Sequence, residues 1–193
     1  LDAATVKALA SADALMSLSG HRRQQVWDAS ALHAAPALLR EAPVEEEFLE
    51  LEAAEEGEEI VFDYAATGLT LRRHPLALLR QQLTTRRMQT AQDLRDLPNG
   101  RLARACGLVT ARQQPGTAKG VVFVTLEDET GTIQVIVWKS LREKQRETLL
   151  GARLLAVYGN WQREGEVRHL IARHLVDMTP LLGRLVTGSR DFK

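Results

Sequence analysis

The run Val121-Val-Phe-Val-Thr-Leu-Glu-Asp-Glu-Thr-Gly-Thr-Ile-Gln-Val-Ile-Val-Trp138 decides how the second half of this chain folds. Val121 to Leu126 and Ile133 to Trp138 are rich in β-branched and aromatic residues. Between them lies Asp128-Glu-Thr-Gly131, a tight-turn sequence, so the two runs read as antiparallel strands of one hairpin. Upstream, Ala103 to Thr110 predicts a further strand, separated from the hairpin by the polar loop Gln113 to Gly120. Downstream the period changes: Leu141 to Leu150 predicts a helix ended by Gly151. Arg153 to Trp161 and Val167 to Met178 then predict two strands around the loop Gln162-Arg-Glu-Gly165.

Three strands, a helix and two strands is the element order of an OB-fold, a five-stranded Greek-key barrel. The expected class is α+β: a short N-terminal helical segment and an acidic linker, then the five-stranded OB-fold β-barrel. The boundaries fall at 1–40 (helical segment), 41–59 (acidic linker), 60–99 (a pre-barrel docking segment), 100–180 (barrel) and 181–193 (tail). Within the first forty residues Val6, Leu9, Ala10 and Asp13, then Val26, Trp27 and Leu32, recur at helical spacing, with Ser19-Gly20 as punctuation. Ile60-Val-Phe62 reads as a short strand, and His74-Pro75 as the start of a helix through Leu83. A polar connector follows from Thr84 to the turn Pro98-Asn99-Gly100.

With 193 residues, 45% of them hydrophobic, the chain suits one full core and a smaller appendage. No apolar run approaches the roughly 20 residues of a membrane span, and the N-terminus lacks the pattern of a secretory signal; a cytoplasmic location is expected. The opening at Leu1 without methionine suggests a piece of something longer. The single cysteine, Cys106, excludes an internal disulfide framework and reads as a small buried hydrophobe. The formal charge is zero, yet ten glutamates and no basic residue lie between Glu41 and Glu59, leaving 25 basic against 15 acidic side chains elsewhere. That excess permits contact with a polyanion. The acidic run reads as a solvated linker; its functional alternative is a decoy competing with DNA for the barrel.

Gly107 to Gly131 closely resembles the OB domain of the ImuC family, error-prone paralogues of the bacterial replicative polymerase alpha subunit. Four further blocks resemble that family: Gly68-Leu-Thr-Leu-Arg-Arg-His-Pro-Leu76, Gln162-Arg-Glu-Gly-Glu-Val167, Ser189-Arg-Asp-Phe192, and Ala12 to Leu18 with Arg22 to Trp27. Leu126-Glu-Asp-Glu-Thr-Gly131 alone also fits the anticodon domains of aminoacyl-tRNA synthetases; five blocks in order discriminate better. The resemblance implies the C-terminal, non-catalytic part of a C-family DNA polymerase used in translesion synthesis and damage-induced mutagenesis, working with ImuA and ImuB. It also implies that the polymerase carboxylates and their magnesium ions lie upstream of Leu1. A clamp-binding peptide is expected to be absent, since Ala29 to Glu59 holds no glutamine and Gln92-Asp-Leu-Arg-Asp-Leu97 is only a loose echo. ImuB would then supply the sliding clamp indirectly.

No catalytic residue and no metal site is expected here. Asp128 and Glu129 sit in a strand-connecting turn, where a solvated, turn-forming role is expected. His74, His169 and His174 lack zinc or triad spacing, and Gly116-Thr-Ala-Lys-Gly120 lacks the order of a phosphate-binding loop. What remains is binding. OB barrels take oligonucleotides across strands 2 and 3 and between the first-to-second and fourth-to-fifth strand loops. The cations expected there are Arg112, Lys119, Arg163 and Arg168, with His169 beside them and the two loops on the same side of a groove. The available aromatics are Phe123, Trp138 and Trp161, for which periodicity leaves core and base platform both open. Two functions follow: binding of single-stranded template DNA, or a platform on which the barrel and Leu71 to Leu83 dock ImuA or ImuB.

Overall fold

The helical pattern of the first residues and the strand pattern of the last hundred separate in space. In the computed structural model, which describes residues 1–32, 49–116, 120–183 and 190–191, the chain divides into two units, Leu1–Arg72 and Arg73–Lys193. The first is helical: α1 (Ala3–Ser11), α2 (Met16–Ser19), α3 (Arg22–Ala31) and α4 (Glu56–Thr67). Asp2 caps α1 by accepting from Thr5 N at 2.7 Å, and His21 Nδ1 caps α3 by accepting from Gln24 N at 3.3 Å.

Among the described residues of this unit, buried charge stands out more than buried apolar surface. The buried hydrophobics among them are Ala10, Ala29 and Ile60, whereas Arg22, at 3% exposed, and the similarly buried Glu59 and Asp63 form an ionic knot. Arg22 pairs with Asp63 and lies 3.5 Å from Glu59. Arg72 donates to Asp13 at 2.7 Å and to both Asp63 oxygens at 2.9 Å, and stands 3.0 Å from Glu59. Burial alone would raise the Asp63 pKa, but the hydroxyl of Thr70 and the two guanidiniums hold its carboxyl below the usual range.

Two expectations are corrected in this unit. Ile60 to Phe62 is helical, inside α4, because three strand-prone residues cannot outweigh the flanking helix formers and the acidic first turn of Glu56, Glu58 and Glu59, which complements the helix dipole. The acidic stretch is not wholly solvated either. Leu51 N donates to Gln24 Oε1 at 3.0 Å, its carbonyl accepts from His21 Nε2 at 2.7 Å, and Glu59 is buried. The portion from Glu41 to Phe48 lies outside the described residues.

The second unit carries the sheet: β1 (Leu102–Gln113), β2 (Val122–Asp128), β3 (Gly131–Val137), β4 (Leu154–Glu164) and β5 (Val167–Asp177). The order β2-β3-β5-β4-β1, with β1 pairing back to β2, closes a five-stranded barrel, and a two-residue strand β6 (Arg190–Asp191) lies parallel beside β1. Burial alternates along β2, so Val122, Val124 and Leu126 point inward with Ile133, Val135, Val137, Val157, Leu170 and Trp161. Two glycines are demanded by close approach. A Cβ at Gly107 would meet Leu126 Cβ at 2.8 Å, and one at Gly159 would meet the Ile171 carbonyl oxygen at 2.0 Å.

The helix expected over Leu141 to Leu150 is two short ones, α7 (Lys139–Lys144) and α8 (Arg146–Gly151). They break at Gln145, whose side chain turns to β5, donating to Leu175 O at 2.8 Å and accepting from Leu175 N at 2.9 Å. The connector before the barrel is also more ordered than its polarity suggests. α5 (Pro75–Thr85) packs against β1 and buries Leu76 and Leu83, and α6 (Ala91–Arg95) packs against β3 behind a capping box of Thr90 and Asp93.

Candidate nucleic-acid interface

Pairing register sorts the barrel's side chains into rows. Phe123 pairs with Ile136, Ile136 with Ile171 and Ile171 with Asn160, so these four share the outer surface of β2, β3, β5 and β4. The neighbouring row is polar: Thr125 pairs with Gln134 and donates to its Oε1 at 3.1 Å, while His169 pairs with Gln162. Trp138 follows the last residue of β3 and is 53% exposed, and Phe123 is half-buried. These two rings are therefore at least partly open to solvent. Trp161 is not: it is 4% exposed within the apolar core, which removes it from the expected base platform.

The expected cations divide in the same way. Arg112 is 7% exposed, and its Nε donates to Leu149 O at 2.7 Å while a terminal nitrogen donates to Ala152 O. It ties the end of α8 to β1 and cannot track phosphates. Lys119 lies outside the described residues. Arg163 is exposed and Arg168 partly so; they pair directly across β4 and β5, and neither has an acid partner among the described residues. Like charges held opposite one another repel unless an anion joins them. Beside them, Trp161 Nε1 and Arg168 Nε are buried donors without a protein acceptor.

The two loops are at opposite ends of the barrel rather than on one side, because β1 runs antiparallel to β4: Leu102 pairs with Asn160, near the β4–β5 turn, and β1 continues to Gln113 before the other loop. Arg112 and Arg163 therefore lie toward opposite ends of β1. The cations that the helices bring to the first loop are Arg142 and Arg146, which line a cavity of about 340 Å³ with Gln114 and Val122. The sequence pattern predicts a helix over Leu141 to Leu150, but nothing in sequence alone puts Arg142 and Arg146 beside that loop.

Asp128 and Glu129 lock the hairpin instead of sitting in solvent. Asp128 Oδ1 accepts from Thr130 N and Thr130 Oγ1 at 2.7 Å and from Gly131 N at 3.0 Å, and Oδ2 accepts from Ala91 N at 2.7 Å. Glu129 accepts from both ends of the Arg80 guanidinium, one bond at 2.8 Å. Burial would raise the Glu129 pKa, but Arg80 more than reverses this and holds the carboxyl below its usual range. Cys106 has the opposite fate: burial, only partly opposed by Arg80, pushes its thiol up to about 12, leaving it an inert core residue. Leu94, in the middle of the loose clamp-motif echo, is fully buried.

With this geometry, residues 103–177 match the family described as an OB-fold nucleic acid binding domain. This barrel is an OB-fold. Over its whole length the chain is 55% identical to the error-prone DNA polymerases of Ralstonia nicotianae and Aromatoleum aromaticum, of which it covers 18%. It therefore spans less than a fifth of the length of the curated relatives it matches. Asparaginyl-tRNA synthetase from Pyrococcus horikoshii superposes with a TM-score of 0.39 over 46% of this chain and 22% of its own, at 19% identity. Among the described residues no helix is long and apolar enough to cross a membrane.

Proposed function

We propose that this chain is the non-catalytic C-terminal part of an ImuC-type error-prone DNA polymerase acting in translesion synthesis after DNA damage, and that its OB-fold holds single-stranded template DNA. Whole-length similarity to error-prone polymerases supports the parentage. The observation that carries the binding is the facing pair Arg163 and Arg168 at the β4–β5 turn, two cations without acid partners among the described residues, on a barrel that also exposes Trp138 and part of Phe123. Phosphates neutralise the cations and unstacked bases cover the rings. The OB-fold positions the strand; magnesium and phosphoryl transfer belong to the upstream region of the polymerase, in the cytoplasm.

A second reading, docking of ImuA or ImuB, draws on the helical unit, where Leu18 is 80%, Leu71 96%, Leu69 56% and Trp27 51% exposed. Leu76 and Leu83 do not contribute, being buried in the barrel unit's own core. Under this reading ImuB also carries the sliding clamp. Titrating the chain with labelled single-stranded DNA at two salt concentrations, with and without each accessory protein, separates the two. Arg163→Ala and Arg168→Ala should each lower the log-log salt slope by about 0.7, whereas Trp138→Ala should cost about 1 to 3 kcal/mol with the slope kept. Negligible DNA binding together with stable ImuA or ImuB association would replace the first reading by the second.

A further inference from the structure

A second row of planar side chains crosses another part of the OB-fold. Arg104 on β1 pairs with Tyr158 on β4, and Tyr158 pairs with His174 on β5. The Arg104 guanidinium lies 5.7 Å from the Tyr158 ring centroid, and the His174 ring lies 5.9 Å from it on the neighbouring strand. Arg104 and His174 are exposed and Tyr158 is half-buried.

The backbone is shaped to hold this row. Arg104 is pinned at both polar atoms, its N donating to Gln89 Oε1 at 3.1 Å and its carbonyl accepting from Gln89 N at 2.8 Å. On β5 the register shifts, so that Tyr158 pairs with His174 but Gly159 with Ala172, leaving Arg173 as the extra residue of a bulge. The bulge places two consecutive side chains, Arg173 and His174, on the exposed side. It is possible only because residue 159 is glycine, since a Cβ there would strike the Ile171 carbonyl. Neither Arg104 nor Arg173 has an acid partner among the described residues.

We propose that Arg104, Tyr158 and His174, extended by Arg173, form a second contact for single-stranded nucleic acid, stacking unpaired bases of a strand that continues past the β2–β3–β5 face. The occupant follows from charge and shape: uncompensated guanidiniums suit phosphates, and a cation–ring–ring row suits bases. Continuity comes from register, because β3 and β5 pair in parallel at Ile136 and Ile171, so β3 runs on toward Trp138 as β5 runs on toward the bulge at Arg173. This inference rests on the DNA-binding reading above.

The test is anisotropy titration of the full chain with oligothymidylates of about 5 and about 15 nucleotides, within the range of OB-fold site sizes. Tyr158→Ala should weaken the longer oligomer about tenfold and leave the shorter one unchanged, and Tyr158→Phe should restore parental affinity. Arg173→Ala should lower the salt slope of the longer oligomer by about 0.7. Arg104→Ala, at an exposed position, provides a second variant should Tyr158→Ala lose its fold by circular dichroism. Unchanged long-oligomer binding in both variants, with Trp138→Ala still weakening both lengths, overturns the second contact and leaves the first standing. Equal losses on both lengths overturn it as a separate track. Absence of binding by the parent chain overturns both readings, and a Tyr158→Ala defect confined to accessory-protein binding makes the row a protein contact.

Discussion

Arg112 shows how a cation can be legible as a residue and wrong as a site. In sequence it stands at the edge of a polar loop; in space it is buried and spends its donors on the carbonyls of Leu149 and Ala152. Arg112→Ala leaves those acceptors unpaired and should cost about 2 to 3 kcal/mol of stability, read as a lowered urea midpoint, with no change in DNA salt slope in the folded protein. A lowered slope at unchanged stability would return Arg112 to the interface. Gly159 is the second such residue: Gly159→Ala drives a methyl into the Ile171 carbonyl and should cost at least about 2 kcal/mol, measured by thermal melting. Periodicity leaves Trp161 and Trp138 undecided because the hairpin strand Val121 to Leu126 is apolar on both faces and so does not say which face of the sheet is core. Barrel closure decides between them, burying one and exposing the other. That information is long-range and absent from any local window.

At the scale of elements, strands were more legible than the segments that brace them. Hairpin patterning located β2 and β3 within two residues, since alternation and the Asp128 to Gly131 turn are local signals. The α5–α6 brace was only half legible: His74-Pro75 announced one helix, but the docking of α6 on the Asp128 carboxylate depends on a contact across 37 residues. His74 sits at this joint. Its Nδ1 caps α5 by accepting from Leu76 N at 3.1 Å, and its Nε2 is buried 3.9 Å from Glu127. Burial lowers its pKa from 6.5, with Glu127, Glu129 and Asp128 pulling it up and Arg80 opposing them. The unfolded chain therefore binds the proton more readily, so His74's contribution is full above 6.5 and is lost as pH falls through the depressed folded value. Between about pH 8 and about pH 5, the urea midpoint of the parent should fall more steeply than that of His74→Asn, which keeps a cap without the titration. Parallel midpoints would show that His74 is not the proton-sensitive group.

On the scale of the whole molecule, the two units draw stability from different physics. The barrel unit encloses a continuous apolar core from Ala103 to Leu175, whereas the described residues of the helical unit gather the buried Arg22 and the part-buried Arg72 around Asp63, with few buried apolar side chains among them. Asp63 titrates below 3.8 in the folded chain, so its contribution is present above that value and is lost as pH falls through the folded one. Acid should therefore strip helical structure from residues 1–72 before it opens the barrel. The tryptophans report this independently: Trp27 and Trp138 are already half exposed, so a shift in emission marks exposure of Trp161 from the barrel core. On acidification, ellipticity at helical wavelengths should decline first and the emission shift should follow at lower pH. Removing one partner of a buried ion pair costs about 3 to 5 kcal/mol, so Asp63→Asn should move the helical loss toward neutral pH and leave the Trp161 signal in place. Coincident transitions in the parent, or an unmoved helical transition in Asp63→Asn, would mean that the knot is not what holds the helical unit.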